Sequence, residues 1–270
     1  MSGGELRRFI EEIGFLPSPD QPDQHFLISE PVRDRIVEAC EGCAGFLEIG
    51  SGPGILTQKL VELGQVVAVD IDERAESALS VSAPSAQFVL ADAARLDYGA
   101  LLATLPSPRA LVSNLPYSIT GFVLEALWRY AHLLDRAVLM MQSEVAIRIA
   151  AEPGSRERGA ISVLLQHSFQ IERVTEASPG AFWPPPKVSS RVLRFESKGR
   201  SVPPEFAKLV RAGFAYPRKT LFNNLTAANY APERVRRALE EVGLAPAVRA
   251  HEVPQDTWSQ LTARLETVIG

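Results

Sequence analysis

A buried strand that breaks into a glycine turn and restarts as a helix constrains this chain more than any other stretch. Gly45-Phe46-Leu47-Glu48-Ile49-Gly50 reads as that strand, Gly50-Ser51-Gly52-Pro53-Gly54 as the turn, and Ile55 to Leu63 as the helix. Glycines at such a junction let backbone N–H groups approach a ligand closely. Gln65 to Val69 reads as a second strand and ends at Asp70, twenty residues after Gly50, where a carboxylate is placed to bind ribose hydroxyls. The glycine spacing is G-x-G-x-G and not the G-x-G-x-x-G of NAD proteins. With the strand before it and the acid after it, the turn favours a nucleoside-type cofactor over a purely structural role.

The rest of the chain extends this unit. Gln87 to Leu90 predicts a third strand, ending at Ala91-Asp92-Ala93, where a carboxylate could accept a hydrogen bond from an adenine amino group. A fourth, Ala110 to Ser113, stops abruptly at Asn114-Leu115-Pro116-Tyr117, and a fifth spans Arg136 to Met141. In open α/β sheets ligands bind at the carboxyl ends of the strands, so an amide, a stiff turn and an aromatic ring there suit a flat polar group. Ile161 to Leu165 and Phe169 to Val174 read as a tightly joined sixth and seventh strand, which would make the edge antiparallel, and Ser190 to Phe195 as another strand. Ahead of the sheet, Glu5 to Gly14 and Glu30 to Cys40 have helical patterns, the second with Ser29 as its N-cap. Pro179 to Val188 is too rich in proline for helix or central strand and reads as a stiff loop displaying Phe182 and Trp183.

Alternating β and α imply a mostly parallel, doubly covered sheet over residues 1–199. After a linker, four helical patterns follow: Glu205 to Ala215, Arg218 to Ala228, Pro232 to Val242 and Gln255 to Val268. These give a small all-α domain over 200–270.

No apolar run approaches the roughly 18 residues of a membrane span, and Met1 to Glu12 lacks an apolar signal core, so the expected setting is the cytoplasm without membrane contact. The two cysteines, Cys40 and Cys43, are spaced C-x-x-C without a second pair to complete a zinc site, which leaves a structural role and no metal. A net charge of −4 argues mildly against nucleic acid, yet residues 200–270 hold ten basic against seven acidic residues. Basic residues also cluster at Lys187, Arg191, Arg194, Lys198 and Arg200, and local stripes matter more to phosphate than the total does.

Several motifs now agree. Gln24-His25-Phe26-Leu27, Glu48 to Gly54, Asp70, Asp92, Asn114-Leu115-Pro116-Tyr117, Phe182 to Ser190 and Arg218-Lys219-Thr220-Leu221-Phe222-Asn223-Asn224-Leu225 make the chain resemble the ribosomal RNA adenine N6-dimethyltransferases of the bacterial 16S, kasugamycin-sensitivity type. The resemblance runs from about residue 14 to the C-terminus. It implies a Rossmann-like, class I methyltransferase fold with S-adenosylmethionine as cofactor. By analogy His25 and Leu27 close over the cofactor, the turn with Gly50 and Gly52 faces its methionine part, Asp70 holds the ribose, Asp92 the adenine amino group, and Asn114 lies near the sulfonium.

The resemblance also implies the reaction, dimethylation of adenosine N6 in 16S rRNA within the small ribosomal subunit or its precursor; the expected form is a monomer, an oligomeric state that the sequence itself does not supply. An exocyclic adenine nitrogen is a poor nucleophile because its lone pair is delocalised into the ring. Asn114 and a backbone carbonyl of Leu115 or Pro116 could accept its N–H protons, while Tyr117 and Phe182 stack on the unstacked base. Lys187, Arg191, Arg218 and Lys219 are the candidate RNA contacts. The segment Ser18 to Asp23 is acidic where relatives carry basic residues, which shifts phosphate contact toward those cations. The alternatives are methylation of another RNA site such as 23S rRNA, an assembly factor whose binding outweighs catalysis, and an NAD-dependent oxidoreductase, against which the glycine spacing speaks.

Overall fold

Apolar runs long enough to be covered on both faces pair side by side in the computed structural model, which describes residues 3–18 and 23–266. Along the chain come α1 (Gly3–Glu12), β1 (Phe26–Leu27), α2 (Glu30–Glu38), β2 (Gly45–Ile49), α3 (Thr57–Leu60), β3 (Gln65–Asp70), α4 (Arg74–Ser82) and β4 (Gln87–Leu90). They are followed by α5 (Tyr98–Ala103), β5 (Arg109–Asn114), α6 (Thr120–Arg129), β6 (Arg136–Gln142), α7 (Ser143–Ile149), α8 (Ala160–Ser168), β7 (Phe169–Ala177), β8 (Phe182–Trp183) and β9 (Ser190–Ser197). The last helices are α9 (Pro204–Gly213), α10 (Leu221–Ala227), α11 (Pro232–Glu241) and α12 (Gln255–Glu266).

The main sheet has the order β4-β3-β2-β5-β6-β9-β7. β4, β3, β2, β5 and β6 are parallel, and β9 is antiparallel to β6. The chain first builds outward from β2 through β3 to β4, then returns to the other side of β2 to lay down β5 and β6. The order therefore reverses between β2 and β5, and a crevice opens at their carboxyl ends, as in other doubly wound sheets. β2 is buried at every position, and β3, β5 and β6 nearly so. Val, Leu, Ile and Phe supply most of that interior, and Glu48, only 1% exposed, is the charged exception within β2. Among the described residues no helix is long and apolar enough to cross a membrane.

Several expectations need correction. Ile161 to Leu165 lies in helix α8, not in a strand. The Gly159 N–H donates to Ser162 Oγ at 3.0 Å, and that hydroxyl donates to the Arg148 carbonyl at 2.6 Å, so the polar atoms favour a helix start that apolar periodicity over five residues cannot distinguish from a strand. The antiparallel partner of β6 is accordingly β9 rather than a member of a tight late pair. Phe182 and Trp183 are not simply displayed on a loop. They form β8, which pairs antiparallel with β1, placing Phe26 opposite Trp183 and Leu27 opposite Phe182. The Ser29 side chain makes no capping hydrogen bond to α2, although the helix does begin after it, with Pro31 in its first turn.

The chain divides into two compact units, Met1–Ala146 with Gln170–Gly199, and Ile147–Phe169 with Arg200–Gly270. The expected division after residue 199 thus misses that 147–169 joins the helical unit, where α8 packs on α9 and α12. Trp258, Phe206, Leu209, Val235 and Leu261 fill the interior of that unit. Buried Arg158 donates to the Val253 carbonyl and, at 2.7 Å, to Gln255 Oε1, while Gln255 Nε2 donates to the Val163 carbonyl at 2.9 Å. These bonds replace the hydration that an interior guanidinium loses, and burial still lowers its pKa to about 10.

Candidate active site

The crevice between β2 and β5 is a cavity of about 430 Å³ within the first unit. Its floor is the glycine turn. Gly50 and Gly52 adopt φ of 71° and 50°, a region that side chains with a Cβ enter at a cost. The Gly50 N–H donates to the Val69 carbonyl at 2.8 Å and Ser113 Oγ donates to the Ile49 carbonyl at 2.5 Å, so three adjacent strands fix where the turn begins. Asp70, at the end of β3, accepts the Gly52 N–H on Oδ2 at 2.7 Å and the Asp72 N–H on Oδ1 at 2.9 Å. Burial raises the pKa of Asp70, and those two N–H groups oppose the shift. The residue therefore braces the turn as well as lining the cavity, a role that spacing alone did not disclose.

Glu48 lies deeper. Burial, opposed by the Thr57 hydroxyl and reinforced by the charge of Asp70, pushes its carboxyl up to about 8, and its Oε2 has no hydrogen-bond partner among the described residues. A buried acid with one unpartnered oxygen in the wall of a cavity is a group that a polar ligand can complete. Asp92 lines the cavity beyond β4 and accepts the Ala94 N–H at 2.9 Å, and the exposed side chain of Ile71 adds an apolar wall beside Asp70.

The other half of the cavity is made by the box that ends β5. Asn114 Nδ2 donates to the His25 carbonyl at 3.0 Å, which orients the amide and leaves Oδ1 available as an acceptor. The Leu115 N–H donates to the Met140 carbonyl at 3.0 Å and holds the box against β6. The Pro116 carbonyl accepts both the Ile119 N–H and Thr120 Oγ1, each at 3.2 Å. Tyr117 is half-buried, its hydroxyl 3.5 Å from Ser190 Oγ and its ring centroid 5.7 Å from that of His25. Phe182, also in the cavity lining, is held at 4% exposure by the pairing of β8 with β1.

The segment before β1 crosses the cavity. His25 Nδ1 lies 2.8 Å from the Pro184 carbonyl, and because a carbonyl only accepts, Nδ1 carries the proton. Gln24 Nε2 donates to Asp72 Oδ2 at 3.1 Å, and Asp23 Oδ2 accepts the Ser118 N–H at 3.1 Å. Of the acidic stretch from 18 to 23, residues 19–22 lie outside the described residues.

His25, Leu27, Gly50, Gly52, Asp70, Asp92, Asn114, Leu115, Pro116, Tyr117 and Phe182 thus all border one cavity. Sequence reasoning missed Asp23, Ile71 and Ser190, which border it too. Ser190 was within a quoted motif, but the bend that brings it to Tyr117 has no local signal. The chain matches the ribosomal RNA adenine dimethylase family over residues 20–267. It belongs to that family.

Relatives within the adenine dimethylase family include the ribosomal RNA small subunit methyltransferase A of Acidobacterium capsulatum, 38% identical over 255 residues that cover 90% of this chain and 89% of that protein. The protein of the same name from Anaeromyxobacter dehalogenans is 39% identical over 259 residues, covering 90% and 91%. That from Synechococcus elongatus is 36% identical over 268, covering 93% and 96%. Among solved structures, a dimethyladenosine transferase from Plasmodium falciparum shares the fold with a TM-score of 0.72 at 23% identity, over 88% of this chain and 96% of that one. The 23S rRNA methyltransferase ErmE gives 0.67 at 26% identity, over 90% and 100%.

The basic candidates fall outside the cavity. Lys187, Arg218 and Lys219 are exposed, with Lys219 Nζ 4.2 Å from the ring centroid of Tyr216. Arg191 pairs with Glu176 at 2.9 Å and Arg194 with Glu172 at 2.6 Å, so part of the stretch 187–200 already has carboxylate partners. Cys40 and Cys43 are buried free thiols, both pushed up in pKa chiefly by burial, in keeping with interior packing.

Proposed function

We propose that this chain transfers methyl groups from S-adenosylmethionine to the N6 amino group of adenosines in small-subunit (16S) rRNA, giving N6,N6-dimethyladenosine during ribosome biogenesis in the cytoplasm, as a monomer. The observation that carries this reading is the meeting of the glycine turn and the Asn114–Tyr117 box in one cavity, in a chain of the adenine dimethylase family. The residues present fit the cofactor. Gly50 and Gly52 open the floor, Asp70 and Asp92 place carboxylates at the strand ends, and the orphaned Glu48 oxygen awaits a polar partner. When bound, S-adenosylmethionine supplies an electrophilic methyl group.

In this reading the chain's own residues position the acceptor nitrogen. Asn114 Oδ1 accepts one N6 proton, since its amide nitrogen is committed to the His25 carbonyl. The Pro116 carbonyl already accepts two hydrogen bonds, which favours the Leu115 carbonyl as the second acceptor. Holding both N–H bonds turns the lone pair toward the methyl donor, and fixed dipoles at the developing charge are worth roughly 3 kcal/mol per well-placed group. Tyr117 and Phe182 supply the aromatic walls for the extruded base, with stacking worth about 1–3 kcal/mol. Glu48 is not used as a base, because the nitrogen can lose its proton to solvent after transfer.

Incubation with labelled S-adenosylmethionine and unmodified small subunits, then large subunits, tests the proposal. Dimethyladenosine in 16S rRNA is the expected product. Label confined to 23S rRNA would transfer the substrate to the large subunit, and binding without label would favour an assembly role.

A further inference from the structure

We propose that Asp23 is a positioning residue for methyl transfer, holding the backbone just after Tyr117 so that the Asn114–Tyr117 box is preorganised before the target base arrives. This rests on the function proposed above. Three consecutive residues that line the cavity, Asp23, Gln24 and His25, each reach a different element around it. Asp23 takes the Ser118 N–H at 3.1 Å, Gln24 reaches Asp72 beyond the β3 end at 3.1 Å, and the His25 ring reaches Pro184 after β8 at 2.8 Å. The His25 main chain meanwhile accepts the Asn114 amide at 3.0 Å. The segment therefore fastens the base-facing half of the cavity to the cofactor-facing half.

Asp23 is the member of the three that touches the box from its downstream side. Tyr117 begins a short 3-10 turn, Tyr117–Ile119, and Ser118 lies within its first residues, where backbone N–H groups lack partners inside the turn. A carboxylate accepting one of them satisfies an orphan donor and also favours the positive end of the turn. Asn114 and Leu115, at the start of the box, are held by the His25 and Met140 carbonyls, whereas the N–H of Ser118, exposed at the cavity rim, is taken by Asp23. Asp23 itself lines the cavity. Its negative charge is thus spent within the catalytic half of the protein, which gives the end of the acidic stretch a purpose other than repelling phosphate.

The test compares Asp23→Ala with Asp23→Asn, which keeps an acceptor oxygen and removes the charge. Hydrogen exchange of residues 117–119 is read in the protein without RNA, and methyl transfer to small subunits and S-adenosylmethionine affinity are read alongside. The alanine variant is expected to lose protection at 117–119 and about tenfold in kcat, with cofactor Kd within about twofold. The asparagine variant is expected to keep the protection and stay within about threefold of the parent's kcat. Unchanged protection in the alanine variant overturns the proposal. So does equal loss in both variants, which would make charge and not the hydrogen bond decisive, or a kcat loss matched by cofactor affinity, which would reduce Asp23 to a cofactor clasp. If the parent protein methylates no small subunit, the function proposed above fails and the exchange result alone decides the role of Asp23.

Discussion

Two side chains on neighbouring strands show how differently single residues serve this cavity. Asn114 is fixed by one hydrogen bond through its nitrogen, so its oxygen is presented rather than consumed. Asn114→Ala removes an acceptor for the reacting amine and little of the cofactor's surroundings. We expect methyl transfer to fall by about 10² or more while S-adenosylmethionine Kd, measured by calorimetry, changes by less than about threefold; full activity would remove Asn114 from the mechanism. Glu48 is the opposite case, a carboxyl held inside β2 with one oxygen unpartnered. The folded protein keeps its proton up to about pH 8, whereas the ordinary value is 4.5, so the folded state binds more protons than the unfolded state between those limits. Its contribution to stability is complete below about pH 4.5 and is lost as pH rises toward 8, with a slope of at most about 1.4 kcal/mol per pH unit. Glu48→Gln should flatten that decline in urea unfolding measured without cofactor at pH 5, 6.5 and 8. An unaltered slope would assign the pH dependence to other groups.

At the scale of elements, the glycine turn is where local backbone preference and packing coincide. Gly54 has φ of 83°, and a Cβ there would lie 2.2 Å from Ser82 Oγ and 2.9 Å from Leu79 Cδ2 on α4. Gly54→Ala should therefore cost about 1–3 kcal/mol in denaturant unfolding. Adding Ser82→Gly should recover only part of the loss, because the backbone penalty stays; complete recovery would make the cost purely steric. This turn was legible in the sequence because its period, its glycines and Asp70 all lie within 26 residues of chain from Gly45 to Asp70. The strands that lead to Asp92 and Asn114 were legible for the same reason. What local pattern could not supply was distant pairing. The β1–β8 ribbon joins residues 26–27 to 182–183, and Phe182 becomes a buried wall only through it. The strand reading of 161–165 failed because the hydroxyl of Ser162 and the packing of α8 on α9 and α12 decide the conformation, and neither is encoded in a five-residue apolar run.

For the whole molecule, the question is how a chain of net charge −4 holds a polyanion. Attraction must come from local cations, because charges separated by more than the Debye length of about 8–10 Å are largely screened at physiological salt. Arg191 and Arg194 already face Glu176 and Glu172, so RNA gains less from them unless those partners yield, whereas Arg218 and Lys219 are exposed on a loop that buried Asn224 pins. Asn224 accepts the Tyr216 N–H at 2.9 Å and donates to the Tyr216 carbonyl at 3.1 Å, which gives the two cations a firm base. Each phosphate contact released should lower the steepness of log Kobs against log salt by about 1. Small-subunit RNA binding by Arg218→Ala with Lys219→Ala is therefore expected to weaken with a slope reduced by about 1–2, measured from 50 to 200 mM salt. Arg191→Ala, which first frees a carboxylate, should change the slope by less than about 0.5. Because exposed ion pairs are worth little, the size of the Arg191 effect separates a cation held by Glu176 from one that exchanges its partner for phosphate. A slope untouched by the double substitution would place the RNA contact elsewhere and return Arg218 and Lys219 to the solvated surface.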